Sequence, residues 1–307
     1  MKCLVTGGAG FIGSHLVEEL LSLNHQVTVI DDLSLGKESN LKKNKNLKFH
    51  KETILNQNIK DIIQGHDVIF HLAALPRVQF SIQNPILTNE VNIKGTLNLL
   101  EAAKQAKIKR FIFTSSSSVY GNQDKLPLVE TMAPNPMSPY ALHKLVGEYY
   151  CKLYNLIHGM ETISLRYFNV YGPRQDPSGG YACLVPKFIN MIINNKQPII
   201  NGNGSQTRDF TYVKDVVNAN IKAALTNNKE AFNQSFNIGA SNNISVNQVT
   251  DLIVKLAKSK VKPIHGPSVI EPKDTKADIQ KAKKLLNWQP ETSFEKGLKL
   301  TYESMIK

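Results

Sequence analysis

The chain has 307 residues, with 41% hydrophobic and 20% charged side chains, 18 Gly and 14 Pro. That composition fits a folded globular chain and excludes a disordered tail, a collagen-like repeat and a disulfide mini-scaffold. The net charge is +12, but only five of the 37 Lys and Arg are Arg, and the lysines fall in small clusters without interleaved aromatics, so a solvated basic surface is expected and no nucleic-acid platform.

Cys3, Cys151 and Cys183 are an odd set without CxxC spacing, which suggests reduced thiols and no metal site. No apolar run approaches the ~18 residues of a membrane span. The first six residues lack a leader-like apolar stretch, so a cytoplasmic location with no membrane partner is expected.

In chain order, residues 2–6 read as a strand. Residues 11–23 read as a helix, with Ile12, Leu16, Leu20 and Leu23 on one side. A second strand follows at 26–30. Further strands are predicted at 67–71 and 110–114, with a helix over 85–106 between them. Val68-Ile69-Phe70 and Phe111-Ile112-Phe113 are continuously apolar, as strands covered on both faces should be. The alternation predicts an α/β fold with a doubly wound parallel sheet. Pro127, Pro134 and Pro136 break the pattern, and a helix restarts with Ser138 as N-cap and Pro139 as its first residue. Beyond Asn169 the regularity weakens. Pro173, Pro177, Gly179 and Gly180 mark one loop, Gly202 and Gly204 another, and a smaller C-terminal lobe is expected.

Thr6-Gly7-Gly8-Ala9-Gly10-Phe11-Ile12-Gly13 sits between the first strand and the first helix. Gly7, Gly10 and Gly13 allow a tight turn and close backbone approach to a pyrophosphate, which the helix N-terminus attracts. Any strand-to-helix turn can use Gly. Here a second strand follows, ending at Asp31 with Asp32 beside it, and an acid there suits the ribose hydroxyls of NAD. Lys37 nearby leaves a 2′-phosphate admissible.

Tyr140 and Lys144 lie four residues apart on one helical face. A free phenol titrates near ~10, so it needs a nearby positive charge to act as a base. By itself the pair is common by chance. The Thr114-Ser115-Ser116-Ser117-Ser118 run at a strand's C-terminal end changes the odds, because open α/β sheets bind ligands there. A Ser116 hydroxyl can share the substrate proton with Tyr140.

With His71-Leu72-Ala73-Ala74, Asn92, Gly95-Thr96, Arg166-Tyr167-Phe168-Asn169, Tyr171-Gly172-Pro173-Arg174 and Thr207-Arg208-Asp209-Phe210, the chain resembles the extended short-chain dehydrogenase/reductases, and within them the NAD-dependent nucleotide-sugar epimerases and dehydratases. The resemblance covers nearly the whole chain. It implies a Rossmann domain over 1–168 plus about 212–240, and a nucleotide-sugar domain over 169–211 plus about 241–307. It also implies Ser116, Tyr140 and Lys144 as the catalytic triad. Cofactor contacts would come from Gly7, Gly10, Phe11, Ile12, Gly13, Asp31, Asp32, Ala73, Ala74, Asn92, Ser115, Tyr140, Lys144 and Tyr167. Substrate contacts would come from Ser117, Asn169, Leu184, Val185, Asn201, Arg208 and Thr275. A homodimer through helices at 92–106 and 138–157 is implied as well.

Relatives that dehydrate the sugar carry Asp and Glu after the catalytic hydroxyl residue; Ser117 and Ser118 stand there in this chain. The reaction implied is therefore 4-epimerisation of a UDP-hexose through a 4-keto sugar. The segments 171–177, 184–188 and 201–204 most resemble UDP-N-acetylglucosamine 4-epimerases, which implies UDP-GlcNAc/UDP-GalNAc; Thr275, a small residue at the wall position that governs the C2 substituent, admits the N-acetyl group, and UDP-Glc/UDP-Gal stays open. Ser268 stands where an Arg usually clamps the diphosphate, with Glu271 in place of an Asp. Lys187 and Lys273 are candidates to compensate. Thr53 replaces an Asp that often meets the adenine. Arg77, in the loop after Ala73-Ala74, has no role in the resemblance; facing a carboxylate it would make the protein a UDP-glucuronate epimerase, and a 4-keto-sugar reductase is a further enzyme reading. A rival reading, a non-catalytic dinucleotide-fold protein that binds RNA, must explain why Ser116, Tyr140 and Lys144 are all present.

Overall fold

The computed structural model describes residues 1–178, 183–268 and 273–306. Within them a seven-stranded sheet runs in the order Leu47–Lys51, Gln26–Asp31, Lys2–Thr6, Val68–His71, Arg110–Ser116, Glu161–Tyr167, Gln234–Ile238. Every neighbouring pair is parallel, so all seven strands end at the same edge. The order reverses between Lys2–Thr6 and Val68–His71. The loops leaving those two strands therefore splay apart and open a crevice at that edge. The expected doubly wound α/β sheet is present.

Helices Phe11–Ser22 and Val213–Leu225 pack together on one face, burying Leu16, Leu20, Val216 and Val217. Helices Gly95–Gln105 and Pro139–His158 cover the other with Leu99, Leu100, Cys151 and Tyr154. Each fully buried Leu of this kind contributes about 1.5–3 kcal/mol. A third core lies beyond the sheet edge, built from Phe188, Ile189, Phe210, Phe294 and Leu298, with Phe11 and Ile12 partly packed against it.

Helix Pro139–His158 starts where the sequence places it. Ser138 Oγ accepts a hydrogen bond from Ala141 N at 3.2 Å, Pro139 opens the first turn, and left-handed Gly159 closes the end. The helix read over 85–106 is in three pieces: Pro85–Asn89, a π turn over Glu90–Lys94, and Gly95–Gln105. The wider turn brings Asn92 inward, where its carboxamide holds a loop, and single π turns commonly serve that purpose. All three cysteines are free, Cys3 and Cys151 buried and Cys183 exposed. Among the described residues no helix is long and apolar enough to cross a membrane, and no group of metal-ligating side chains converges.

Candidate active site

The crevice floor is built by the loop after Lys2–Thr6. Gly7 holds φ +70°, and a Cβ on Gly13 would lie 2.1 Å from Gly7 O, so neither position accepts a side chain. Helix Phe11–Ser22 begins at Gly10 with no side-chain cap. Its first-turn N–H groups have no partner within the helix and are left to a ligand. Phe11 and Ile12 turn their side chains to the third core, so they offer main-chain N–H groups. Asp31 is buried at its strand end, with Oδ2 accepting from Ala9 N and Oδ1 from Leu33 N, both at 2.9 Å. Burial raises its pKa and the two N–H groups draw it back. Asp32 accepts from Ser34 N at 2.9 Å. Lys37 N and Asn40 Nδ2 both donate to Ala9 O, at 3.0 and 2.8 Å, so residues 32–40 fold back over the loop. Asn40 was not legible as part of this site. The side-chain-free cradle, the open helix end and the carboxylate at the neighbouring strand end together fit a dinucleotide such as NAD.

The second wall follows Val68–His71. His71 is fully buried, which depresses its pKa to about 3 and keeps the imidazole neutral. Thr96 Oγ1 donates to Asn92 O at 2.7 Å and must therefore accept from His71 Nε2 at 2.8 Å. His71 Nδ1 then accepts from Thr6 Oγ1, also at 2.8 Å, and Thr6 Oγ1 accepts from Ala73 N at 3.2 Å. Asn92 grips Leu75 twice, accepting from its N at 2.7 Å and donating to its O at 3.1 Å. These bonds fix the Ala73–Ala74 segment against the cradle.

Ser116, Tyr140 and Lys144 come together at the ends of Arg110–Ser116 and the start of Pro139–His158. Ser116 Oγ accepts from Ser118 N at 3.1 Å and from Ser118 Oγ at 2.9 Å. Its own proton is free for the Tyr140 phenol, to which it is hydrogen-bonded. Burial drives that phenol up to about 12, and the Ser116 bond and the Arg77 guanidinium pull it down. Lys144, expected to share in this, lies on the same helix face. Lys144 Nζ donates to Thr114 O at 2.8 Å and sits 5.8 Å from the Tyr140 ring centre, while burial lowers its own pKa to about 8.

For two expected cofactor contacts, Ser115 and Tyr167, the side chains turn elsewhere. The Ser115 hydroxyl donates to buried Glu148, which forms a two-bond ion pair with Arg166 at 2.9 and 2.7 Å. Tyr167 is buried, and its hydroxyl is held by Thr114 Oγ1 and Asn220 Nδ2 at 3.2 and 2.7 Å. Strand alternation turns both side chains into the layers beside the sheet, so neither side chain reaches the crevice.

On the far side, Asn169 is exposed at φ 24° and donates to Asp209 O at 3.1 Å. Arg208 Nη1 donates to Thr207 O and Lys273 O, at 2.8 and 3.0 Å. Thr275 Oγ1 accepts from Asp209 N at 3.3 Å, so Arg208 and Thr275 lie on adjoining segments. Asn201 is exposed at the end of a short strand whose middle residue, Ile200, is buried, and Ser268 lies beside Gly202. Ser117 is half-buried next to Ser116 and Leu184 half-buried at a helix start, whereas the Val185 side chain is buried in the third core and cannot line a pocket. Glu271, Gly179 and Gly180 lie outside the described residues.

The family profile described as GDP-mannose 4,6 dehydratase matches residues 4–301. The chain belongs to this family. It is an NAD-dependent extended short-chain dehydrogenase/reductase of the nucleotide-sugar epimerase/dehydratase group. A putative UDP-glucose 4-epimerase of Methanocaldococcus jannaschii is 41% identical over 300 residues, 96% of this chain and 95% of that one. The structure of a UDP-N-acetylglucosamine 4-epimerase from Methanobrevibacter ruminantium, in complex with UDP-N-acetylmuramic acid, is similar with TM-score 0.95 and 38% identity over 99% of this chain and 98% of that one. A UDP-glucuronic acid 4-epimerase from Bacillus cereus, in complex with UDP-glucuronic acid and NAD, is similar with TM-score 0.93 and 37% identity over 100% and 99%.

Proposed function

We propose that this member of the family is a UDP-hexose 4-epimerase acting on UDP-GlcNAc/UDP-GalNAc and also on UDP-Glc/UDP-Gal. The observation that carries this reading is the Ser116–Tyr140 hydrogen bond with Lys144 beside it and no carboxylate at 117 or 118. Tyr140 takes the proton of the sugar 4-hydroxyl, and Ser116 donates to the oxygen that loses it. Bound NAD supplies a reversible hydride acceptor for C4. Lys144, anchored by Thr114 O, holds positive charge near the ring and is placed for a cofactor ribose. Tyr140 returns the proton once the 4-keto sugar has presented its other face. Loss of water from C5 and C6 would need a further acid and base, and Ser117 and Ser118 cannot ionise for that work at neutral pH.

The cradle and crevice support assigning NAD to residues 1–168 with about 212–240, and the nucleotide sugar to 169–211 with about 241–307. Helix Pro139–His158 leaves Leu142, Tyr149, Leu153, Leu156 and Ile157 exposed, and Ile82, Ile86 and Leu87 are exposed as well. An apolar surface of this kind supports a homodimer. Curated relatives of similar identity are named for UDP-glucose and for UDP-glucuronate. The test is incubation of purified protein with UDP-GlcNAc or UDP-Glc, the product read by NMR without added reductant. Appearance of the C4 epimer is expected. A 4-keto-6-deoxy product, or turnover only with stoichiometric NADH, would overturn the reading.

A further inference from the structure

We propose that Arg77 reads a carboxylate carried on the hexose, so that the preferred substrate is an acidic UDP-sugar. This rests on the 4-epimerase chemistry proposed above and ranks an acidic UDP-sugar ahead of the neutral ones named there.

Arg77 closes the loop that leaves Val68–His71 and stands at the start of helix Val78–Gln83. Its main chain is held on both sides. Leu75, two residues before it, is gripped by Asn92, and Arg77 O accepts from Ser81 N at 2.9 Å. Ser81 Oγ in turn accepts from Tyr140 N at 3.1 Å, so the loop is docked on the helix that carries the reacting phenol. From that anchor the half-buried side chain crosses to Cys183, the residue that opens helix Leu184–Ile193, with Nη1 donating to Sγ at 3.0 Å. Its charge also reaches Tyr140, where it favours the phenolate. The guanidinium therefore spans the crevice between the loop that follows the cradle and the segment expected to meet the sugar.

Its chemistry there is unmatched. Arg110 pairs with Glu161, Arg166 with Glu148 and Arg174 with Glu18. Among the described residues Arg77 forms no ion pair, and its side-chain partner is the Cys183 sulfur, a weak acceptor. Asp176 is near enough for Arg77 to draw its pKa down, yet its Oδ1 is taken by Ser178 N and Oγ at 2.9 and 2.6 Å. A guanidinium has five donors in a flat fork that matches a carboxylate. Displacing one thiol contact for a two-bond grip on a carboxylate is favourable, and a neutral sugar offers no such exchange.

The experiment uses two pairs of full UDP-sugars that differ by one carboxylate: UDP-glucuronate against UDP-glucose, and UDP-N-acetylmuramate against UDP-GlcNAc. The first pair places the acid at C6, the second on the ether at C3, and the pair that responds shows which source Arg77 meets. Wild type is expected to favour the acidic member of one pair by 10- to 100-fold in kcat/KM. Arg77→Ala should cut that ratio at least tenfold through KM, with Arg77→Lys in between. A wild-type preference for the neutral member of both pairs would overturn the proposal. So would an Arg77→Ala loss equal for acidic and neutral sugars together with a pH profile moved to higher pH, since that would make Arg77 a positioning residue for Tyr140. Retained NAD and far-UV circular dichroism establish that the variants fold. If no UDP-sugar is epimerised, the 4-epimerase reading fails, while competitive binding of the same pairs still decides whether Arg77 selects the acid.

Discussion

Tyr140 is the residue on which the proposed chemistry turns, and its buried surroundings hold its proton. Burial dominates the hydrogen bond from Ser116 and the charge of Arg77, leaving a phenol near 12. A positively charged nicotinamide in the crevice would shift that balance toward the phenolate. Tyr140→Phe removes the proton acceptor without changing the packing, so a 10²- to 10⁴-fold fall in kcat is expected with an unaltered melting temperature. An unchanged turnover rate would remove Tyr140 from the mechanism. Thr275 makes a second case at this scale. Its hydroxyl already accepts from Asp209 N, so what it offers a ligand is small size. Thr275→Tyr should suppress turnover of the N-acetylated sugar at least tenfold more than that of its non-acetylated counterpart. Equal losses would place the wall elsewhere. Among single residues, the glycine cradle, Asp31 and the Tyr140/Lys144 spacing were legible because local spacing carries their signal. The directions of the Ser115 and Tyr167 side chains were not legible, because a linear chain does not show which side of a strand each hydroxyl takes. Their partners, Glu148 and Asn220, are 33 and 53 residues away.

Between elements, close approach sets the site. Helix Pro139–His158 lies so near Arg110–Ser116 that a Cβ on Gly147 would fall 2.2 Å from Phe113 Cζ. That proximity brings Lys144 Nζ to Thr114 O. Gly147→Ala should cost about 1–3 kcal/mol by overpacking and lower kcat, and a smaller side chain at Phe113 should restore part of both. A melting temperature within a degree of wild type would show that the contact yields. His71 ties Lys2–Thr6 to helix Gly95–Gln105 through Thr6 and Thr96. Its folded pKa, about 3, lies below the ~6.5 of the unfolded chain. Between those values the unfolded state binds the extra proton, so this group's contribution falls as the medium is acidified from pH ~6.5, by up to ~1.4 kcal/mol per unit. Urea titrations at pH 7 and 5 should show a shallower pH slope for His71→Gln than for wild type; parallel slopes would mean the imidazole is charged in the folded protein. At this scale the sequence showed the alternation but not the π turn at Glu90–Lys94, because that turn goes with the bonds of Asn92 to Leu75, a contact that the run of residue types does not display. Leu47–Lys51 and Gln234–Ile238 also escaped notice. They are the two edge strands, and what makes them strands is a partner elsewhere in the chain.

For the whole molecule, the exposed apolar face of Pro139–His158 supports association with a second copy. Tyr149→Glu with Leu153→Glu should halve the mass seen by light scattering while NAD is still retained. A wild-type mass near 34 kDa would refute the dimer. The sheet also carries a consequence of its strand order. Glu161–Tyr167 pairs on its outer side with Gln234–Ile238, and about seventy residues intervene. When its first six strands have emerged during synthesis, the sheet still lacks its seventh strand and helix Val213–Leu225, and it is expected to stay unfinished. It waits with one open flank and the seat of helix Val213–Leu225 vacant until the ribosome has also made much of what forms the third core. The two halves of the enzyme are therefore committed to mature together, and a nascent chain cut short before residue 238 should be a client for chaperones rather than a functional cofactor-binding fragment.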